Sequence, residues 1–337
     1  MAAEALRPLR LGQLLDRTFS LYRRNFLLFI GLSTIPVVIL CAMSVVMQIA
    51  QGPALQAQVA HRPADPAQAL AAMQASSSLL LPLIVVSMAA FALAHGALTF
   101  ATSQVYLGRS ATIGALYRAA RVRFWRIFGL WLLIFLRAIG YCALVGVVAA
   151  IVGGVAAFAA RGAGAVVVAP VVVGGIIVMV LIFLRYSLAT AVLLLENTGM
   201  NAAIRRSISL MRGHRFRAFV IFLTVVAVSY AGFILFGGPF LAAQTYYITQ
   251  GIVPPLWLRA LGAVVGGLSQ LLLMPFGVMV FVLLYFDIRV RKEGLDLQMM
   301  IGSLGGPAGA EGVPAVPAPP GDLPAPPPPR TPGSLGL

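Results

Sequence analysis

Negative charge is scarce in this chain. Nine acidic residues stand among 337, against 24 basic ones, and a single lysine, Lys292, is present. Three histidines and two cysteines complete the short supply of reactive side chains. Glu196, Asp287 and Glu293 are the acids nearest the apolar segments, and all fall at the edges of them. That leaves little for paired-carboxylate chemistry. No His pair has metal-ligand spacing, no serine sits in a nucleophile elbow, and no glycine loop is shaped to cradle a phosphate. Cys41 and Cys142 both lie inside apolar runs and read as small buried hydrophobes, not as a disulfide or a metal site. The expectation is a non-enzymatic protein with no cofactor and no metal.

What the chain has in abundance is apolar surface. Hydrophobic residues make up 60%, charged residues 10%, and the mean hydropathy is +0.96. A soluble chain of this length could not hide so much, so lipid must be the solvent. The net charge of +15 sits in short blocks between apolar runs. Such blocks suit the anionic cytoplasmic leaflet, and no nucleic-acid-reading module is visible. Arginine in place of lysine, with much Ala, Gly, Val and Pro, points to a GC-rich bacterial genome.

Six apolar stretches are each long enough to cross a bilayer core, which takes about 20 helical residues. They run approximately 26–50, 79–106, 127–154, 165–195, 216–240 and 258–286. The third and fourth are joined by Arg161-Gly162-Ala163-Gly164 and should form a hairpin. Counting basic residues orients them. Segments 1–25, 107–126 and 197–217 carry five Arg each, and 288–296 adds Arg289, Arg291 and Lys292. The alternate loops hold only Arg62 and Arg161. Both termini are therefore expected in the cytoplasm of a bacterial inner membrane. Arg23-Arg24-Asn25-Phe26-Leu27 resembles a twin-arginine export signal, but the apolar run after it is too long for a signal core, so an uncleaved first span is the better reading.

The basic connectors repeat. Arg17-Thr18-Phe19-Ser20-Leu21-Tyr22-Arg23 returns as Arg206-Ser207-Ile208-Ser209-Leu210-Met211-Arg212, and a looser copy runs from Leu116-Tyr117-Arg118 to Arg126. At helical spacing Leu11, Leu14, Leu15, Thr18, Tyr22 and Phe26 share one face, opposite Arg10, Gln13, Arg17, Ser20 and Arg24. Such helices suit the headgroup plane, with Arg17, Arg23, Arg24, Arg118, Arg121, Arg206 and Arg212 on lipid phosphates. An ordinary surface helix packed on the protein is the other reading. The fold class expected is an all-α integral membrane protein with six transmembrane helices and three cytoplasmic interfacial helices. Its unit, one interfacial helix plus two spans, recurs three times in a pseudo-threefold repeat.

Three ionisable residues fall deep within spans. Arg137 lies 11 residues past Arg126, about 16 Å along a helix; Arg185 lies 11 residues before Glu196, and His95 lies 12 before Leu107. None has an acidic partner at its depth. Two readings stand: an anion or lipid-headgroup site, or a water-filled cavity, near His95, Arg137 and Arg185, or arginines that bond backbone carbonyls or snorkel to the interface. Gly146, Ala150 and Gly154, and likewise Gly262 and Gly266, recur every four residues and predict close helix packing. Pro36, Pro170 and Pro275 can each bend a span.

Beyond about residue 301 the composition changes. Residues 302–337 are dominated by Gly, Pro and Ala, with four prolines from Pro326 to Pro329, and predict a disordered cytoplasmic tail. The chain thus divides into a helical membrane domain, 1–301, and this tail. Membrane lipids with anionic headgroups are the expected partners, with a homo-oligomer or a protein docking on the Pro-rich tail left open.

Three stretches carry a resemblance. They are Leu9 to Arg17 leading into Leu21-Tyr22-Arg23-Arg24-Asn25-Phe26, Ala203 to Ser207 with Leu210 to Gly213, and Tyr285-Phe286-Asp287-Ile288-Arg289-Val290-Arg291-Lys292-Glu293-Gly294-Leu295-Asp296-Leu297. Together they resemble a bacterial family of six-span proteins of unknown function. That family is related to the membrane domain of some glycerophosphoryl diester phosphodiesterases. The resemblance implies a helical bundle over about residues 7–300. It argues against phosphodiesterase activity, because the separate catalytic barrel of those enzymes has no counterpart here. Ala191 departs from the pattern, which has a proline ahead of Glu196, and leaves the bend of the fourth span open. Two function classes follow. One is a membrane-organising or lipid-interacting component; the other is a transporter or channel-like protein for an anionic or lipid substrate.

Overall fold

The computed structural model describes residues 9–52, 55–56, 66–159 and 164–294. The tail 302–337, His61, Arg62 and the Arg161 turn lie outside them. Among the described residues the structure is helical without strands. The elements are α1 (Leu11–Arg24), α2 (Phe26–Ala50), α3 (Pro66–Tyr106), α4 (Ile113–Val122), α5 (Phe124–Ala159), α6 (Gly164–Tyr186), α7 (Ala189–Leu195), α8 (Met200–Met211), α9 (Arg215–Thr249) and α10 (Leu256–Glu293). Six segments are long and apolar enough to cross a membrane: Phe26–Ala50, Pro82–Tyr106, Phe124–Gly154, Val168–Leu195, Arg215–Thr249 and Leu256–Glu293. The chain is a multi-pass membrane protein.

The spans close into a ring. α2 packs on α3, α3 on α5, α5 on α6, α6 on α9, α9 on α10, and α10 returns to α2 while also touching α3. α10 is the most enclosed, whereas α5, α6 and α9 turn residues such as Val147, Ile151, Ile176 and Ile234 outward. Burial is concentrated toward one end, in residues 92–106 of α3, in α7 and in the second half of α10. That end also carries the basic connectors. Hydroxyls within the spans spend their donors locally: Ser33, Thr99 and Thr102 each bond the carbonyl four residues back.

α1, α4 and α8 each precede a span by one to three residues. Their buried residues face the protein: Leu14 and Thr18 in α1, Leu116 and Ala120 in α4, Ile204 and Leu210 in α8. Exposed apolar residues then gather where each following span begins, at Leu27, Trp125 and Phe216. Two of these helices lock onto carbonyls beside prolines. Pro36 lacks the N–H that would bond Leu32, and the Tyr117 hydroxyl donates to that carbonyl at 2.5 Å. Pro275 lies inside α10, and the neighbouring Leu272 carbonyl accepts from the Tyr22 hydroxyl at 2.9 Å. Burial pushes both tyrosines up to about 12, so the donors stay protonated at neutral pH. Tyr117→Phe should cost about 1–2 kcal/mol, because it leaves a freed carbonyl without a donor. A thermal midpoint in detergent equal to the wild type would show that the bond contributes nothing.

Three details differ from the sequence-based expectation. The fourth span is broken at Ser187 and Leu188, between α6 and α7. The Ser207 hydroxyl takes the Arg185 carbonyl at 2.7 Å, which removes that acceptor from the helix ladder and needs no proline. α10 runs to Glu293 instead of 286, since its polar end is helical through i,i+4 ion pairs, and stops at Gly294 with φ +60°. The glycine seams also move. A Cβ at Gly146, Gly154 or Gly266 would meet nothing within 4 Å, whereas one at Gly153, Gly175 or Gly267 would strike a neighbouring helix. Gly262 keeps its expected role, since a Cβ there would stand 3.1 Å from that of Phe240.

Candidate functional site

The ring lines a partly open chamber of about 1150 Å³, walled by side chains from all six spans. This exceeds the roughly 1,000 Å³ at the top of the usual range for small-molecule pockets. Apolar groups form most of the wall, among them Leu40, Met43 and Met47 of α2, Ile84, Met88 and Phe91 of α3, Ile134 and Phe135 of α5, and Met274 and Phe281 of α10. The chamber extends to Gln48 and Gln51 at the far end of α2 and is floored near mid-bundle by His95, Trp131, Ser187 and Thr190. From Leu83 to His95 the wall of α3 spans about 18 Å. No charged side chain lines it among the described residues.

His95 joins this chamber. Its Nδ1 is buried with no hydrogen-bond partner, while the ring is part-exposed and packs edge-on against Trp131, centroids 5.1 Å apart. Arg137 is exposed on the outside of α5. Its guanidinium lies 5.8 Å from the Tyr186 ring and donates to the Tyr186 hydroxyl at 3.4 Å, behind the chamber wall. Arg185 is also exposed and its side chain is not part of the wall. The structure therefore does not bring the three predicted residues to one cavity: His95 is inside, and the two arginines are outside.

Of the connector arginines, Arg23, Arg24, Arg118, Arg121 and Arg212 are exposed. Arg17 is half-buried, 5.2 Å from the Tyr106 ring. Arg206 turns inward, where it pairs with Glu196 at 3.2 Å and with Glu293. Arg289 contacts Glu293 at 2.9 Å and the Tyr285 hydroxyl at 3.1 Å, and that hydroxyl donates to Glu196 at 3.0 Å. Beside this cluster Asp287 accepts from the Leu9 N–H at 2.8 Å and pairs with Arg217 at 3.2 Å and Arg291 at 3.0 Å. Both arginines also donate to the Leu9 carbonyl. Lys292 caps the carbonyls of Ser209 and Arg212. These contacts form a polar plate that ties α7, α8, α9 and the start of the chain to α10. It closes the arginine-rich end, and the stretch 285–293 builds most of it.

Arg123, between α4 and α5, is shifted downward by burial first and by Arg126 second, and it lies 5.5 Å from the Phe100 ring. At the opposite end Arg259 is buried and donates to the Gln48 carbonyl at 3.0 Å, capping the last turn of α2. Sequence reasoning passed over Arg259, because it lies within the first turn of a span, and over Tyr285, because nothing marks its hydroxyl as paired. The i,i+4 spacings Asp287/Arg291 and Arg289/Glu293 were the available signal for the plate. Among the described residues no three potential metal ligands cluster. Comparison with protein-family models, curated proteins and solved structures finds no match to this chain.

Proposed function

We propose that this is a non-enzymatic multi-pass protein of a bacterial inner membrane that holds lipid chains in its central chamber. The observation that carries the reading is the chamber itself: about 1150 Å³, mostly apolar, walled by every span and with no charged side chain among the described residues. A mostly apolar space of that size suits hydrocarbon. The basic balance of the connectors supports an orientation with the plate on the cytoplasmic side. In that orientation α1, α4 and α8 lie at the interface, each opening one of three similar units, and Arg23, Arg24, Arg118, Arg121 and Arg212 meet anionic headgroups.

A carrier role is the second reading, favoured by the break at Ser187–Leu188, since Ser187 and Thr190 stand at the chamber floor. Native mass spectrometry of protein extracted in mild detergent tests the lipid reading. Wild type should retain lipid, and the chamber-filling pair Ser87→Phe with Ala138→Trp should lose it while remaining folded. Equal retention in both proteins would place the lipid elsewhere and sink the proposal.

A further inference from the structure

We infer that the chamber takes a neutral long-chain lipid whose head carries a hydroxyl or carbonyl oxygen, seated with that oxygen at His95. The inference rests on the chamber being a lipid site and names the ligand class. Two independent observations carry it. First, the wall has no cation among the described residues, and Arg137 and Arg185 stand outside it. A phosphate or carboxylate head drawn to the floor would lose its water and meet no compensating charge. A neutral head loses far less, and a single hydrogen bond can offset it.

Second, the floor holds a polar side chain that the protein leaves unsatisfied. Buried polar groups in folded proteins are almost always hydrogen-bonded. His95 Nδ1 is not, and it is itself buried, so the nitrogen left to face the chamber is Nε2, which makes no hydrogen bond among the described residues. The ring is part-exposed where it forms the chamber wall, beside Trp131. Ser187 and Thr190 add hydroxyls to the same floor. A neutral imidazole donates from one nitrogen and accepts at the other, so it can pair with a hydroxyl in either sense and with a carbonyl as donor. The remaining wall, from Phe91 back to Leu83 and across to Met43 and Met47, offers mostly hydrocarbon and thioether surface to a chain, with Ser44, Ser87 and Tyr186 interspersed and Gln48 and Gln51 at its far end.

Trp131 gives a direct readout. Trp125 and Trp257 are 77% and 63% exposed, so Trp125→Phe with Trp257→Phe leaves one tryptophan, at the chamber floor. The full chain so altered is titrated with three chain-matched compounds brominated at the head end: a long-chain alcohol, the corresponding carboxylate at neutral pH, and the alkane. The alcohol should quench Trp131 saturably and bind more tightly than the other two. His95→Leu should weaken the alcohol about three- to tenfold, the value of one neutral hydrogen bond, and His95→Gln should keep most of the affinity. If alcohol and alkane bind alike and His95→Leu changes nothing, the head does not sit at His95, although the chamber remains a lipid site. Tighter binding of the carboxylate overturns the neutral head. Absence of saturable quenching by any of the three overturns both this inference and the lipid reading.

Discussion

Replacing Asp287 by alanine should cost about 3–5 kcal/mol of stability, the toll of breaking a buried ion pair on one side only. The Asp287 side chain is 1% exposed and stands between Arg217 and Arg291, with the Leu9 N–H as its third partner. Without it, Arg217, itself 16% exposed, faces Arg291 with no anion between them. The start of α1 loses an anchor at the same time, because the two arginines that hold the Leu9 carbonyl would repel each other. Arg291→Ala makes the contrast. That side chain is 34% exposed, so its pair is screened and its removal should cost under about 1 kcal/mol. Thermal midpoints of the two variants in one detergent decide the matter. If Asp287→Ala melts no lower than Arg291→Ala, the plate is an ornament of the surface and not a fastening of the fold.

The membrane spans were legible because lipid imposes a blunt requirement, a run of about 20 residues without charge, that no tertiary contact can disguise. Their ends were less so. Residues 287–293 are polar and look like a loop by hydropathy, yet they remain helical because Asp287 pairs with Arg291 and Arg289 with Glu293 one turn apart. The break in the fourth span depends on the Ser207 hydroxyl, 22 residues away in sequence, and has no local mark. The candidate site shows the same division. Helical rise gave the depth of His95, Arg137 and Arg185, but depth leaves the rotation of each helix open. Rotation puts His95 on the chamber wall and both arginines outside it. The chamber itself belongs to no segment, since each span contributes only a few ordinary apolar residues to it.

Spacing of small residues has the same blind side, and Gly267 shows what it misses. The every-four pattern ends at Gly266, whose missing Cβ would meet open space; one residue on, a Cβ at Gly267 would lie 2.1 Å from the Cys41 sulfur and 3.7 Å from Val37. α2 and α10 are therefore in contact at a point where only hydrogen fits. Gly267→Leu must separate the two helices or distort both, and the expected loss is toward the upper end of the roughly 1–3 kcal/mol typical of overpacking. A smaller pair of changes isolates the cause. Gly267→Ala should destabilise by overlap with the Cys41 sulfur, and adding Cys41→Ala should restore most of the loss, because the two Cβ atoms would then stand 3.8 Å apart. Cys41→Ala alone should be close to neutral, so the coupling appears only in the full double-mutant cycle. Midpoints that simply add across the cycle would mean that the helices yield at this point, and that the α2–α10 contact does not hold the chamber wall in place.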